Sequence, residues 1–125
     1  MPREKAILMG APLKSEPLGV TEEHLEELAR LADTAGVEVG GTLVQRIDHP
    51  NHATYIGEGK AEELKQLAEL EGATLIIFDD ELSPTQGRNL EEAIGTRVMD
   101  RAELILDIFA TRARSSEAKA QVELA

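Results

Sequence analysis

Leu75-Ile76-Ile77-Phe78 is apolar at four consecutive positions and sits between Thr74 and the acidic run Asp79-Asp80-Glu81. A strand with one face in water alternates polar and apolar residues. A short run with no polar position has to be covered on both faces, which makes it an interior strand of a sheet between two helical layers. Ala6-Ile7-Leu8-Met9 is a second such run and ends at Gly10. Val37–Ile47, where Val, Thr and Leu recur, reads as a third strand, with Gly40-Gly41 marking a bulge or a close backbone approach. Thr96–Met99 is the fourth.

Helical patterns fill the intervals. Thr21 is expected to cap the first, with Leu25, Leu28, Ala29 and Ala32 on one face and Gly36 as the stop. Gly59–Glu71 turns Ala61, Leu64, Leu67 and Ala68 inward and ends at Gly72. Ser83-Pro84-Thr85-Gln86 is a capping box with proline at the first helical position, and that helix ends at Gly95. Asp100 and Glu103 form another capping pair, before a helix over Leu104, Ile105, Ile108 and Phe109. A further helix is expected to restart at Ser115-Ser116-Glu117. Strands separated by such helices are joined by right-handed crossovers and lie parallel. The expectation is an open α/β fold with a four-stranded, mainly parallel sheet, helices on both faces and strand order 2-1-3-4. A switch-point crevice would lie between the first and third strands.

A net charge of −11 argues against a general nucleic-acid binder. The excess is local. Residues 16–38 hold seven acids against Arg30, and residues 79–103 hold seven against three arginines. Residues 43–57 hold one charge of each sign plus His49 and His52, and residues 107–125 hold three of each. Those neutral segments are where an RNA surface could come close, and any such contact would have to be local. Cysteine is absent, which excludes disulfide and thiolate chemistry and fits a reducing compartment. No run approaches the ~18 apolar residues of a membrane-spanning helix, so a cytoplasmic location is expected.

Four groups of residues invite a functional reading. Gly57-Glu58-Gly59-Lys60 looks like a phosphate loop. However, Thr54 stands where the first glycine is needed and Ala61 where a hydroxyl would reach Mg²⁺. The motif therefore either opens a helix or serves as a contact loop, with Lys60 beside the helix N-terminus. The stretch Arg46 to Tyr55 is either a solvated loop or an RNA or ligand contact in which Tyr55 stacks and Arg46 meets phosphate. His49 and His52 lack an evident third metal ligand. Asp79-Asp80-Glu81 and Gly10-Ala11-Pro12 end strands at the carboxyl edge, where α/β folds place ligands. The acids there either cap the next helix or hold Mg²⁺ or a ribose hydroxyl. Arg101 is placed to reach back to Asp79 or Asp80, or to touch a nucleotide. No constellation of catalytic residues is evident.

Three segments in this order carry a family resemblance: Ala53–Leu64 (ATYIGEGKAEEL), Phe78–Leu90 (FDDELSPTQGRNL) and Asp100–Ala125 (DRAELILDIFATRARSSEAKAQVELA). Together they closely resemble the N-terminal domain of the HflX GTPase family, over about Lys5 to Ala125. Ala102 stands where that family usually has Thr, and Ala120 where Leu is common.

The resemblance implies a Rossmann-like domain over residues 1–112 and, at residues 113–125, the start of a helical arm leading to an absent GTPase domain. It implies a parent protein that docks on the large ribosomal subunit and splits or rescues stalled ribosomes. GTP and Mg²⁺ would bind outside these residues, which would carry no cofactor and no catalytic group of their own. Arg112 and Arg114 on the arm are then the preferred ribosomal RNA contacts, joined by Arg46, Tyr55 and Lys60. Two alternatives stand beside this reading. One is a separate ATP or nucleotide site lined by Gly10, Asp79, Asp80 and Arg101; the other is a spacer that restrains the GTPase. The amphipathic pattern running uncapped through Val122 and Leu124 suggests a cut fragment whose exposed stripe at residues 118–125 could self-associate.

Overall fold

The computed structural model describes residues 3–124, with side chains through residue 114. Its elements alternate: β1 (Glu4–Gly10), α1 (Leu18–Thr34), β2 (Val37–Val44), α2 (Glu58–Glu71), β3 (Leu75–Phe78), α3 (Pro84–Ile94), β4 (Arg97–Asp100) and α4 (Arg101–Leu124). The sheet order is β2-β1-β3-β4, and every pair is parallel. Order and direction match the sequence expectation.

The two-residue period of the central strands sorts the core into two layers. Ile7, Met9, Ile76 and Phe78 meet α2 and α3 through Ala61, Leu64, Ala68, Leu90 and Ile94. Ala6, Leu8, Leu75 and Ile77 meet α1 and α4 through Leu25, Leu28, Ala32 and Leu104. Each large aliphatic or aromatic side chain fully withdrawn from water contributes about 1.5–3 kcal/mol. β1 and β3, buried on both faces, therefore anchor the domain.

Gly40 is the bulge. Ala6 pairs with Val39 and Ile7 with Gly41, so Gly40 is skipped. A Cβ there would sit 2.8 Å from Lys5 Cδ. The regular part of β2 stops at Val44, short of Ile47. Pro12 has no N–H to offer the ladder, and pairing resumes only as the isolated bridge between Leu13 and Ile47.

The capping box of α3 forms as expected. Ser83 Oγ accepts from the Gln86 N–H at 3.1 Å, and the Ser83 N–H donates to Gln86 Oε1 at 2.9 Å. Gly72 and Gly95 close α2 and α3 in the left-handed region, at φ 67° and 78°.

Two helix expectations need correction. Thr21 does not cap α1. The N-cap is Pro17, and Thr21 is buried inside the helix, its hydroxyl donating to Glu16 Oε2 at 2.6 Å. Nor does a helix restart at Ser115: α4 runs unbroken from Arg101 to Leu124, since no glycine or proline interrupts it. Leu104 is buried and Ile105 and Ile108 are half-buried, whereas Phe109 is exposed along with every residue to Arg114. The helix leaves the body of the domain there. The stripe at residues 118–125, expected to self-associate, lies outside the described side chains.

Candidate functional site

Parallel strands deliver their loops to one edge. The chain leaves β1 toward the α1 layer and β3 toward the α3 layer, so a gap opens between the two strand ends. The protein bridges that gap itself. Asp80 Oδ2 accepts the Ala11 N–H at 2.8 Å, and the Asp79 N–H donates to the Met9 carbonyl at 2.9 Å. Burial pushes the Asp80 carboxyl above its usual range against the pull of the Ala11 N–H, and the charges of Asp79 and Glu16 push the same way as burial.

Arg101, the first residue of α4, reaches back to Asp79 as the sequence suggested. Its Nε donates to Asp79 Oδ1 at 2.9 Å, and Nη2 donates to the same oxygen. Nη1 meets Glu27 Oε1 at 3.0 Å, and Nη2 also meets the His24 carbonyl at 2.8 Å. A crevice of about 430 Å³ is lined by Glu16, His24, Glu27, Asp79, Asp80 and Arg101. Beside it, a Cβ on Gly10 would lie 3.3 Å from the Leu25 methyls, so this glycine lets α1 approach the strand end. Gly10, Asp79, Asp80 and Arg101 are thus neighbours. Four carboxylates face one guanidinium whose three nitrogens are all engaged within the domain. That balance opposes a polyphosphate.

Asp100 is a structural cap. Oδ1 accepts the Glu103 N–H and Oδ2 the Leu82 N–H, both at 2.9 Å. Glu103 is pushed up by burial and by the neighbouring Asp100 charge.

A second concavity, about 340 Å³, includes Lys14, Arg46, Asp48, His49, Asn51 and Tyr55 in its lining. The loop that forms it is well tied. Asn51 and Tyr55 exchange backbone hydrogen bonds at 3.0 and 2.9 Å, and Asn51 Oδ1 accepts the Ala53 N–H at 2.7 Å. Gln86 Nε2 donates to the Asn51 carbonyl at 2.7 Å, and Asn89 Nδ2 to the Ala53 carbonyl at 2.9 Å. Tyr55 has φ 65° and sets its ring edge-on to Phe78, with centroids 6.5 Å apart. Its hydroxyl is pushed up by burial and by the Asp80 charge. Arg46 donates to the Glu16 carbonyl, and Lys14 pairs with Asp48 at 3.3 Å.

Lys60 is taken by Glu63 at 2.6 Å, and α2 begins at Glu58 without a side-chain cap. Lys60 bound in this way, with no hydroxyl at Ala61, does not fit a phosphate loop. Arg112 borders the end of α1 near Thr34 and Ala35, whereas Arg114 donates to Thr111 Oγ1 at 3.5 Å. Both helices run antiparallel to the strands, so these arginines lie at the opposite end of the sheet from Arg46 and Tyr55.

Sequence reasoning missed Glu16, His24 and Glu27 in the crevice, and Gln86 and Asn89 as anchors of the loop. The placement of Glu16 and Glu27 beside the strand ends had no local signal, because it depends on where α1 lies against the sheet. Among the described residues, no cluster of three His, Asp or Glu side chains is arranged to hold a metal ion. No described helix is long and apolar enough to cross a membrane.

A family model for the GTP-binding GTPase N-terminal region matches residues 22–110. The GTPase HflX of Caldanaerobacter subterraneus subsp. tengcongensis is 52% identical over 123 residues, which is 98% of this chain. The chain belongs to the HflX family. The GTPase HflX of Escherichia coli is 47% identical over 103 residues, 82% of this chain. Among solved structures, the complex of SsGBP with GDP superposes with a TM-score of 0.69 at 29% identity, covering 97% of this chain and 33% of that one. The chain spans only about a quarter of the two HflX relatives, 28% and 24% of their lengths. It corresponds to the N-terminal domain of this GTPase family.

Proposed function

We propose that this domain docks its parent GTPase on the large ribosomal subunit and couples that contact to GTP hydrolysis in a following domain. The parent would then be a cytoplasmic factor that splits or rescues stalled ribosomes. GTP and Mg²⁺ would be held outside these residues, where a phosphate loop can form. The observation that carries the reading is α4. Its 24 residues extend about 36 Å, and past Ile108 it carries Arg112 and Arg114 on an exposed stretch. In a chain of net charge −11, residues 107–125 are balanced, so phosphate is repelled less there than along the acidic stretches at 16–38 and 79–103. Residues 1–112 would serve as the platform and residues 113–125 as the beginning of the arm. Arg46 and Tyr55, with Lys60 nearby on α2, would form a secondary RNA contact at the other end of the sheet.

The alternative reading places ATP or another nucleotide against Gly10, Asp79, Asp80 and Arg101. It has the strand-end location in its favour and the carboxylate surplus against it.

The test is co-sedimentation of the longer protein with large ribosomal subunits over a range of salt. Arg112→Glu with Arg114→Glu is expected to weaken binding and to flatten the slope of log affinity against log salt by about two. Unchanged binding and slope would remove the arm from the interface.

A further inference from the structure

α1 covers only the first half of the edge strand β2. Val37 is buried and Val39 packs into the α1-side core. Thr42 and Val44 pair in register with Leu8 and Gly10, so they share the face on which Leu8 meets α1. Both are exposed. Val44 is 41% exposed, and Leu18, at the start of α1, is 59% exposed. Between helix and strand lies a groove of about 300 Å³, with Leu8 and Leu25 at its base and Ala29 and Thr42 as its walls.

The rim of this groove is acidic. Glu22 and Glu26 stand one helical turn apart along it, both exposed. Among the described residues, neither belongs to an ion pair. Like charges at that spacing weaken a helix. The fold therefore gains nothing visible from the pair, whereas a ligand with matching cations would relieve both.

The chemistry selects the occupant. Nucleic acid would bring phosphate against two carboxylates. A second copy of the chain, itself at −11, would bring an identical acidic rim. An amphipathic helix with lysine or arginine at i and i+4 pairs both glutamates and lays its aliphatic side over Leu18, Leu25 and Val44. We infer that this groove docks such a cationic amphipathic segment of a partner protein. The surface is separate from Arg112 and Arg114, and the inference is independent of the ribosome reading.

The test is a heteronuclear NMR titration of the ¹⁵N-labelled chain with a synthetic lysine–leucine amphipathic helix, and with its glutamate–leucine counterpart. The expected result is saturable shifts centred on Leu25, Ala29, Thr42 and Val44 with the lysine peptide alone. Glu22→Lys with Glu26→Lys, both at exposed positions, should keep a dispersed spectrum and lower the affinity about tenfold. Val44→Ser should weaken binding without changing its salt dependence. The inference is overturned if the shifts spread over α2 or the Asp79–Asp80 edge instead. It also fails if charge reversal leaves the affinity unchanged, or if both peptides bind equally. Concentration-dependent shifts at Thr42 and Val44 without peptide would assign the groove to a second copy and overturn it too.

Discussion

Asp80 holds the Ala11 N–H at 2.8 Å, and Ala11 is only 2% exposed, so removing the acceptor strands a donor away from water. Leaving such a group unpaired costs about 1–3 kcal/mol. The charge on Asp80 acts in the opposite direction. Its carboxyl is pushed up by burial, which means the folded state disfavours the ionised form relative to the unfolded chain. The resulting penalty is absent below both the unfolded and folded values. It grows as pH rises from the unfolded value through the folded one, and persists at neutral pH. Asp80→Asn keeps an oxygen for Ala11 and removes the charge, whereas Asp80→Ala removes both. At pH 7 the asparagine variant should be at least as stable as the parent, and the alanine variant about 1–3 kcal/mol less stable than the asparagine variant. The margin of asparagine over the parent should shrink as pH is lowered from 7 into the ordinary aspartate range of about 4, because the native carboxyl, held above that range, takes up its proton before it is reached. Urea unfolding of all three proteins at the two pH values measures this. Equal stability of the alanine and asparagine variants at pH 7 would show that Asp80 does not satisfy Ala11 in solution.

Ser83→Ala breaks one half of the capping box and should lower stability by about 1 kcal/mol in urea unfolding; no change would mean that Pro84 and Gln86 suffice. Gly95→Ala should cost about 1–2 kcal/mol because φ is 78° there. By contrast, Gly40→Ala should cost less than Gly95→Ala, because the atoms a new Cβ meets most closely belong to the flexible Lys5 side chain; the reverse ranking would show that Lys5 does not give way. Calorimetric titration of the chain with ATP and with GTP in Mg²⁺ should give no saturable heat, given the four carboxylates of the crevice. Saturable heat abolished by Asp80→Ala would instead establish a nucleotide site.

Strand order, the α3 capping box, the Gly40 bulge and the contact from Arg101 to Asp79 were all legible in the sequence. Each depends on local pattern or on strand ends that the crossover rule brings together. The start of α1 was not legible: a threonine four residues into a helix resembles a cap until the neighbouring Glu16 carboxylate takes its hydroxyl. The exposure of Phe109 was equally hidden. It follows Ile105 by one turn, yet it is 62% exposed while the neighbouring Ile108 packs into the α1-side core; packing decides which side of α4 meets α1, and residue spacing alone does not. The loop through Asn51 is exposed as expected, but its anchoring was hidden because its partners, Gln86 and Asn89, lie on a different helix. The groove beside Thr42 arises because α1 covers β2 at Val37 and Val39 but not at Val44, which no residue pattern encodes.

The most direct test of the docking account is the affinity of this chain alone, fluorescently labelled, for purified large ribosomal subunits. Saturable binding that weakens steeply with salt and is displaced by the longer parent protein is the predicted result. Absence of binding at low salt, with the parent still bound after this domain is deleted, would contradict the account.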